Sequence, residues 1–422
     1  MSDLVAKFGS YLGRNIAEKP DRVRKLLLTA YKLKRVQLKH FPDKRLSPAR
    51  NMMAVSSMNA VIAPLADPAN TALVNIFMPC ELLQAFGIHP MFAEAMASYI
   101  NGAKAEKGFV EYAEACGLPE TFCSYHKVLL GAILSDVIPK PRFVVNTSLL
   151  CDANNLTFRM AAEHYQIPQI YIDVPYDSSE DSVQYVADQL RDLTSFLEEE
   201  TGRKLDQEAL CRAVDRSGST MQRLLHCQEL KKDRFLHNDI TSELYEVFGT
   251  HVLLGTEEIE QYSLQMEKDI LASAPTKGVR ILWIHTIPYY QQPVRRLFNF
   301  NERCQILCCD MNLDPAPEMD GTRPYESMAR RLVYDAFNGS AERRIGQALR
   351  YAEKMDADGA VYFCHWGCKQ TTAAAGLVKR SLEEQGLPTL ILDGDACDRG
   401  NSSNGQMATR LEAFIEMLEK RK

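Results

Sequence analysis

The sequence predicts an α/β fold made of two parallel-sheet units separated by a helical segment. Three observations predict it. Short apolar runs alternate with helix-patterned stretches between residues 71 and 175, and again between 279 and 419; such alternation produces parallel sheets with crossover helices. The intervening residues 178–273 are charged and helix-patterned. Finally, 422 residues with 46% hydrophobic content leave room for two or three units of roughly 150 residues, each able to bury a core.

Taken in order, residues 3–40 set apolar against basic positions at helical spacing, with Leu26, Leu27, Leu28, Tyr31 and Leu33 as the expected buried stripe. A loop follows at residues 42–48. TALVNIFMP (71–79) reads as a strand followed by the helical ELLQAFG, and PRFVVNTSLL (141–150) as a strand followed by NLTFRMAAEHY. QIYIDVP (169–175), set off by Ile167-Pro168, reads as another strand. The helical segment holds DQLRDLTSFLEEETGRKL, CRAVDRSGSTMQRLLHCQELKKDRF and ELYEVFGTHVLL. Strand text then returns as VRILWIH (279–285), RCQILCCD (303–310), GAVYFCHW (359–366) and LPTLILDGD (387–395), interleaved with helical text. The expected divisions are an N-terminal helical segment (1–65), a first α/β domain (66–178), a helical connector or cap (179–275) and a second α/β domain (276–422), both α/β domains being Rossmann- or flavodoxin-like.

A formal charge of −6 and a pI near 5.9 supply no footprint for nucleic acid or acidic membrane. No run approaches 18 apolar residues, and the first residues lack the pattern of a signal peptide. The expectation is a cytoplasmic protein whose twelve cysteines are buried, reactive or metal-bound rather than disulfide-bonded. The chain has no G-x-x-x-x-G-K-[ST] phosphate loop, no G-x-G-x-x-G, no H-E-x-x-H and no G-x-S-x-G. If ATP takes part, a partner must bind it.

Placed against the predicted strands, the cysteines form a pattern. Cys80, Cys151, Cys309, Cys364, Cys368 and Cys397 fall at or just beyond strand ends, and Cys123 lies at a loop-to-helix junction. In open α/β sheets the ligand crevice lies outside the carboxyl ends, where strand order reverses. Three cysteines precede aspartate, at Cys151-Asp152, Cys309-Asp310 and Cys397-Asp398, and no others do. Cys80, Cys123 and Cys368 then make a second group of three. Cys116, Cys211, Cys227, Cys304 and Cys308 read as buried bystanders, Cys308 because a strand turns it away from Cys309. No C-x₂-C pair is present; Cys364 and Cys368 keep structural zinc open. Dispersed thiolates in a crevice between two α/β units suit an iron–sulfur cluster better.

MPCELLQAFGIHP (78–90), ETFCSYHKVLLGA (120–132), FVVNTSLLCDANNLTFR (143–159), HWGCKQT (365–371) and DGDACDRGNSSNGQMATRLEAF (393–414) together resemble the 2-hydroxyacyl-CoA dehydratase family of iron–sulfur proteins. Within it they look most like the double-cubane cluster proteins. The resemblance implies a 4Fe–4S cluster on Cys80, Cys123 and Cys368. In the double-cubane branch it implies an 8Fe–9S cluster that also takes Cys151, Cys309 and Cys397, with Cys364 competing with Cys309. It further implies a separate ATP-hydrolysing activator with its own 4Fe–4S cluster, delivering low-potential electrons one at a time, a homodimer, and ATP-dependent reduction of small molecules. In the dehydratase branch it implies one cluster per subunit and a ketyl radical that expels hydroxide.

Three further residues are candidates for catalysis. Glu81 can serve as a proton donor or simply as a carboxylate at a helix start. His126 can bond to sulfur and tune potential, as can its neighbour Lys127. His365, between Cys364 and Cys368, can donate a hydrogen bond or a proton. The aspartates after Cys151, Cys309 and Cys397 read as helix caps. Against the enzyme readings stand a cluster-binding scaffold without turnover and a zinc-stabilised α/β binding protein.

Overall fold

A computed structural model describes residues 2–312 and 318–422. The described residues form ten strands: β1 (Thr71–Val74), β2 (His89–Phe92), β3 (Phe143–Thr147), β4 (Gln169–Ile172), β5 (Arg234–Phe235), β6 (Ala274–Pro275), β7 (Val279–Ile284), β8 (Cys304–Cys309), β9 (Gly359–His365) and β10 (Thr389–Gly394). They make two four-stranded parallel sheets, ordered β2-β1-β3-β4 and β10-β9-β7-β8, and a small antiparallel pair, β5 with β6. Read from its own first strand, each large sheet has the order 2-1-3-4, the flavodoxin-like arrangement, so strand order reverses between β1 and β3 and between β7 and β9.

The expected α/β class and the strand text at 71–79, 141–150, 169–175, 279–285, 303–310, 359–366 and 387–395 correspond to β1, β3, β4, β7, β8, β9 and β10. Strand β2 is not among the expected strands, because Pro90 interrupts its text. Pro90 is tolerated because β2 is a sheet edge, where one side of the backbone needs no ladder partner. In the N-terminal helix Pro20–His40 the buried residues are Val23, Leu27 and Tyr31. Leu26 and Leu28 are half-buried, and Leu33, expected in the stripe, is 66% exposed. A 3.6-residue period places Val23, Leu27 and Tyr31 on one face and turns Leu33 off it.

The two sheets share a core. One continuous apolar cluster contains Leu73 and Val145 of the first sheet together with Trp283, Ile306 and Phe363 of the second. The helices Glu180–Thr201, Gln207–Leu230, Ile240–Val252 and Glu257–Ala272 pack into this body, and Leu244, Val247 and Phe248 of Ile240–Val252 reach the space between the sheets.

Strand alternation decides where several cysteines point. Val361 and Phe363 of β9 face the shared core, while Ala360, Tyr362 and Cys364 face a separate cluster on the other side of the sheet. In β8 a register shift opposite Ile281 and Leu282 puts Leu307 and Cys308 in that second cluster and returns Cys309 to the face of Ile306. A β-bulge reorients the residues that follow it in this way.

Candidate metal and substrate site

The carboxyl ends of β1, β3, β7 and β9 meet around one pocket, so the two reversal points face each other. The pocket encloses about 720 Å³ of empty space, its mouth included. Phe77 follows β1, Cys151 follows β3, His285 follows β7 and Cys368 follows β9, and all four line it. Cys123 lines it too, from the residue before helix Ser124–Leu134.

Every residue of that helix except its last is buried. From Val128 onward it is apolar all round, as a helix enclosed by its neighbours must be, and its first-turn polar side chains are hydrogen-bonded. Its first hydroxyl, Ser124 Oγ, donates to Asp395 Oδ1 at 2.6 Å, and the same oxygen accepts the backbone N–H groups of Cys397 (2.8 Å) and Asp398 (2.7 Å). Asp395 thereby fastens the loop after β10 to the Cys123 end of the helix, a role that its place in the DGD text did not reveal.

Gly367 joins the other two elements. Its φ is +80°, and a Cβ there would lie 2.7 Å from both Cα and N of Cys123. The loop carrying Cys368 can therefore approach Cys123 only without a side chain. Gly367→Ala is expected to lower stability by about 1–3 kcal/mol and to separate the two cysteines, read as a shift in the denaturation midpoint together with the metal content of the purified variant.

Two imidazoles reach two of the pocket thiols. His365 Nε2 lies 3.3 Å from Cys123 Sγ, and His365 Nδ1 accepts the backbone N–H of Ala396 at 3.2 Å. An imidazole that accepts at Nδ1 carries its proton at Nε2, so His365 donates toward the sulfur. His126 Nε2 lies 3.5 Å from Cys151 Sγ, and its Nδ1 is 2.8 Å from Thr157 Oγ1. Burial holds both rings neutral, that of His126 down to about 3. Lys127 points elsewhere, to Glu114 (2.6 Å) and the Glu120 carbonyl (2.8 Å).

The Cys123 thiol is pushed well up by burial and then by the neighbouring Cys151 and Cys368. Cys151 is pushed up to about 12, first by burial and then by Cys368 and Glu94. Such thiols ionise when a metal supplies the compensating positive charge. Among the described residues, no three His, Cys, Asp or Glu side chains close on a single metal ion. Three thiols spread round a cavity instead suit a group with several metal atoms, each sulfur on a different one.

The pocket draws its thiols from both expected triplets, Cys123 and Cys368 from one and Cys151 from the other. The remaining three do not line it. Cys80 is buried with its sulfur 3.3 Å from the Met78 carbonyl. Cys309 is the last residue of the outer strand β8, and its sulfur lies 3.1 Å from the His285 carbonyl. Cys397 follows the outer strand β10 and is fully buried, with Cys123 among the groups that push its thiol up after burial and the Asp395 and Glu106 charges. Cys364 faces the opposite side of its sheet.

Glu81, expected to be able to donate a proton, lies outside the pocket. Arg331 donates to both its oxygens at 2.6 and 3.0 Å, and the Ser217 hydroxyl donates at 2.7 Å. This bidentate pair ties Glu81 to Arg331 with both carboxylate oxygens occupied. Asp398 caps the turn Arg399–Asn401 by accepting from Gly400 N–H. Asp310 instead joins the His285 N–H (2.7 Å) to Arg344 (2.8 Å). Sequence reading also missed Glu94 and His285 as pocket residues, since neither carries a motif.

Residues 75–418 match the sequence pattern of the family described as 2-hydroxyglutaryl-CoA dehydratase, D-component. The chain is 24% identical to the (R)-phenyllactyl-CoA dehydratase alpha subunit of Clostridium sporogenes, over 82% of this chain and 88% of that protein. It is also 24% identical to the alpha subunit of lactoyl-CoA dehydratase from Anaerotignum propionicum, over 81% and 89%. With a component of the benzoyl-CoA reductase of Thauera aromatica it shares 20% identity, over 83% and 89%. No helix among the described residues is long and apolar enough to cross a membrane.

Proposed function

Since the chain belongs to the 2-hydroxyglutaryl-CoA dehydratase D-component family, we propose that it is the iron–sulfur component of an enzyme that works by single-electron reduction, of the dehydratase kind. The observation that carries this is the set of three thiols, Cys123, Cys151 and Cys368, around a pocket at two facing reversal points. Cys123, Cys151 and Cys368 would hold a 4Fe–4S cluster, which when bound supplies one-electron transfer and, with three protein ligands, an iron open to a further ligand. His365 donates a hydrogen bond toward Cys123 and so stabilises negative charge on that sulfur, and the His126 ring lies 3.5 Å from the Cys151 sulfur. Leu244, Val247 and Phe248 keep water from the site. The substrate is a 2-hydroxyacyl-CoA thioester by analogy with the named relatives, and electrons come from a separate ATP-hydrolysing activator.

A second reading is supported by Cys397, whose thiol feels Cys123, and by Cys80 and Cys309 in the same apolar cluster. Six thiolates would hold an 8Fe–9S double cubane in a homodimeric reductase of small molecules, Cys309 being the sixth because Cys364 faces away. Iron and acid-labile sulfide analysis of anaerobically purified protein tests both. About four irons per chain are expected for the pocket thiols alone, and about eight for the double cubane, at three cysteines per cubane. Zinc without iron would overturn both readings and leave the zinc-stabilised binding protein.

A further inference from the structure

A group held by three thiolates gains a further negative charge with each electron it accepts, and no lysine or arginine is among the described residues that line the pocket. A cation lies behind the wall instead. Arg344, on the helix Ala341–Lys354, is 4% exposed, and its Nε and Nη2 both lie 2.8 Å from Asp310 Oδ2. The other Asp310 oxygen accepts the backbone N–H of His285 at 2.7 Å. His285 lines the pocket in a left-handed conformation (φ +77°) although it is not glycine. Such a conformation persists where its surroundings hold it, and here the hold is a carboxylate that Arg344 fixes.

The guanidinium has a second set of neighbours. It lies over two rings, 4.5 Å from the centroid of Phe337 and 5.7 Å from that of Tyr362, and its Nη1 has no hydrogen-bond partner. Hydrogen bonds therefore satisfy one side of this five-donor cation only, and ring faces meet the rest of it. Tyr362 links it to a thiol of the pocket. The Tyr362 hydroxyl donates to the Thr371 carbonyl at 3.0 Å, and the Thr371 hydroxyl donates to the Cys368 carbonyl at 3.2 Å. The ring that Arg344 covers is thus fastened to the first turn of Lys369–Glu384, the helix that Cys368 begins. Asp310 stands on the other side, its Oδ1 4.0 Å from the Cys309 sulfur. The pair is ordered, with its carboxylate at the end of β8 and its guanidinium over β9. Its positive charge acts on both His285 and Cys368.

We propose that Arg344 sets the electron affinity of the site: fixed by Asp310 behind His285 and Cys368, its guanidinium makes the group held by Cys123, Cys151 and Cys368 easier to reduce by one electron. A buried cation is felt strongly because little solvent screens it, and the net charge around a cluster is among the determinants of its potential. This deepens the reading above and rests on it in one respect, that a redox group occupies the pocket thiols.

Reductive titration of anaerobically purified protein with titanium(III) citrate tests it. Each electron taken up converts one titanium(III) to titanium(IV), visible absorption and electron paramagnetic resonance report the reduced fraction, and iron is measured on the same samples. Arg344→Met removes the charge and keeps an apolar chain over the rings. It is expected to hold the parent's iron and to be about tenfold harder to reduce, a downward shift of about 59 mV for a one-electron couple. Arg344→Lys keeps the charge and is expected to stay within about threefold of the parent. Asp310→Asn still offers an oxygen to the His285 N–H but leaves Arg344 without its counter-charge, so its potential is expected to rise, by about threefold or more in the reduced-to-oxidised ratio. The opposite signs separate a charge effect from loosened packing, which would act alike in both variants. Iron-loaded Arg344→Met that reduces at the parent's potential overturns the inference, as does a shift of the same sign in Asp310→Asn. If Arg344→Met loses its fold or its iron, the direction of the Asp310→Asn shift decides. Iron-loaded parent and variants with one common potential overturn this inference alone, whereas a parent that holds zinc and no iron overturns the reading beneath it as well.

Discussion

Cys123→Ser and Cys368→Ser are each expected to lose at least half the iron of the parent protein, and Cys151→Ser to do the same. The first two follow both from family resemblance and from the pocket. The third is specific to the geometry. Resemblance assigns the single cluster to Cys80, Cys123 and Cys368, whereas the pocket is lined by Cys123, Cys151 and Cys368. Serine removes a soft thiolate donor and leaves a hydroxyl that binds iron poorly. Iron and sulfide per chain, with the visible absorption of the cluster, provide the measurement. A Cys151→Ser variant with full iron beside a Cys80→Ser variant without it would return the cluster to the resemblance triplet. Loss of about half the iron in Cys397→Ser or Cys309→Ser would favour two cubanes, because each cubane needs its own three sulfurs. Full iron in both would leave one.

Arg331→Met is expected to cost about 3–5 kcal/mol of stability, the effect of removing one partner from a fully buried ion pair. Glu81 is fully buried and Arg331 is 7% exposed. Two guanidinium hydrogen bonds of 2.6 and 3.0 Å and one from Ser217 hold the carboxylate, and without Arg331 the first two are lost from a fully buried group. Chemical denaturation with a double-mutant cycle checks this. The paired Glu81→Gln/Arg331→Met variant should recover most of the loss, since it removes both charges and returns only a neutral amide to the site. If Arg331→Met alone is as stable as the parent, the pair does not anchor the Cys80 turn. Cys80 shares the consequence, because its thiol is pushed up by burial and by Glu81 and drawn down by Arg331.

The parallel-sheet class was legible in the alternation of apolar runs and helices, because strand and helix periods are local properties. So was the carboxyl-edge position of the cysteines, since a residue just after a strand run has to lie at that edge. The opposition of Cys308 and Cys309 was legible too, although the bulge in β8 that assigns Cys309 to the shared core was not. Strand β2 was hidden by Pro90, whose tolerance depends on an edge that a linear reading cannot identify. Leu33 failed because an apolar residue does not announce which helical face meets a neighbour.

Local patterning suffices to put a set of thiols at the ends of strands, and the family pattern spans residues 75–418. Which of those thiols face one another follows from how the strands are arranged in space. Strand order is a non-local property: placing β3 beside β1 and β9 beside β7 brings Cys151 and Cys368 to facing reversal points, and leaves Cys309 and Cys397 behind the outer strands. Gly367 permits the approach to Cys123, helix Ile240–Val252 closes the apolar side, and Glu94 and His285 acquire meaning only from the cavity they line. None of these is encoded by spacing, because each depends on contacts between residues far apart in the chain.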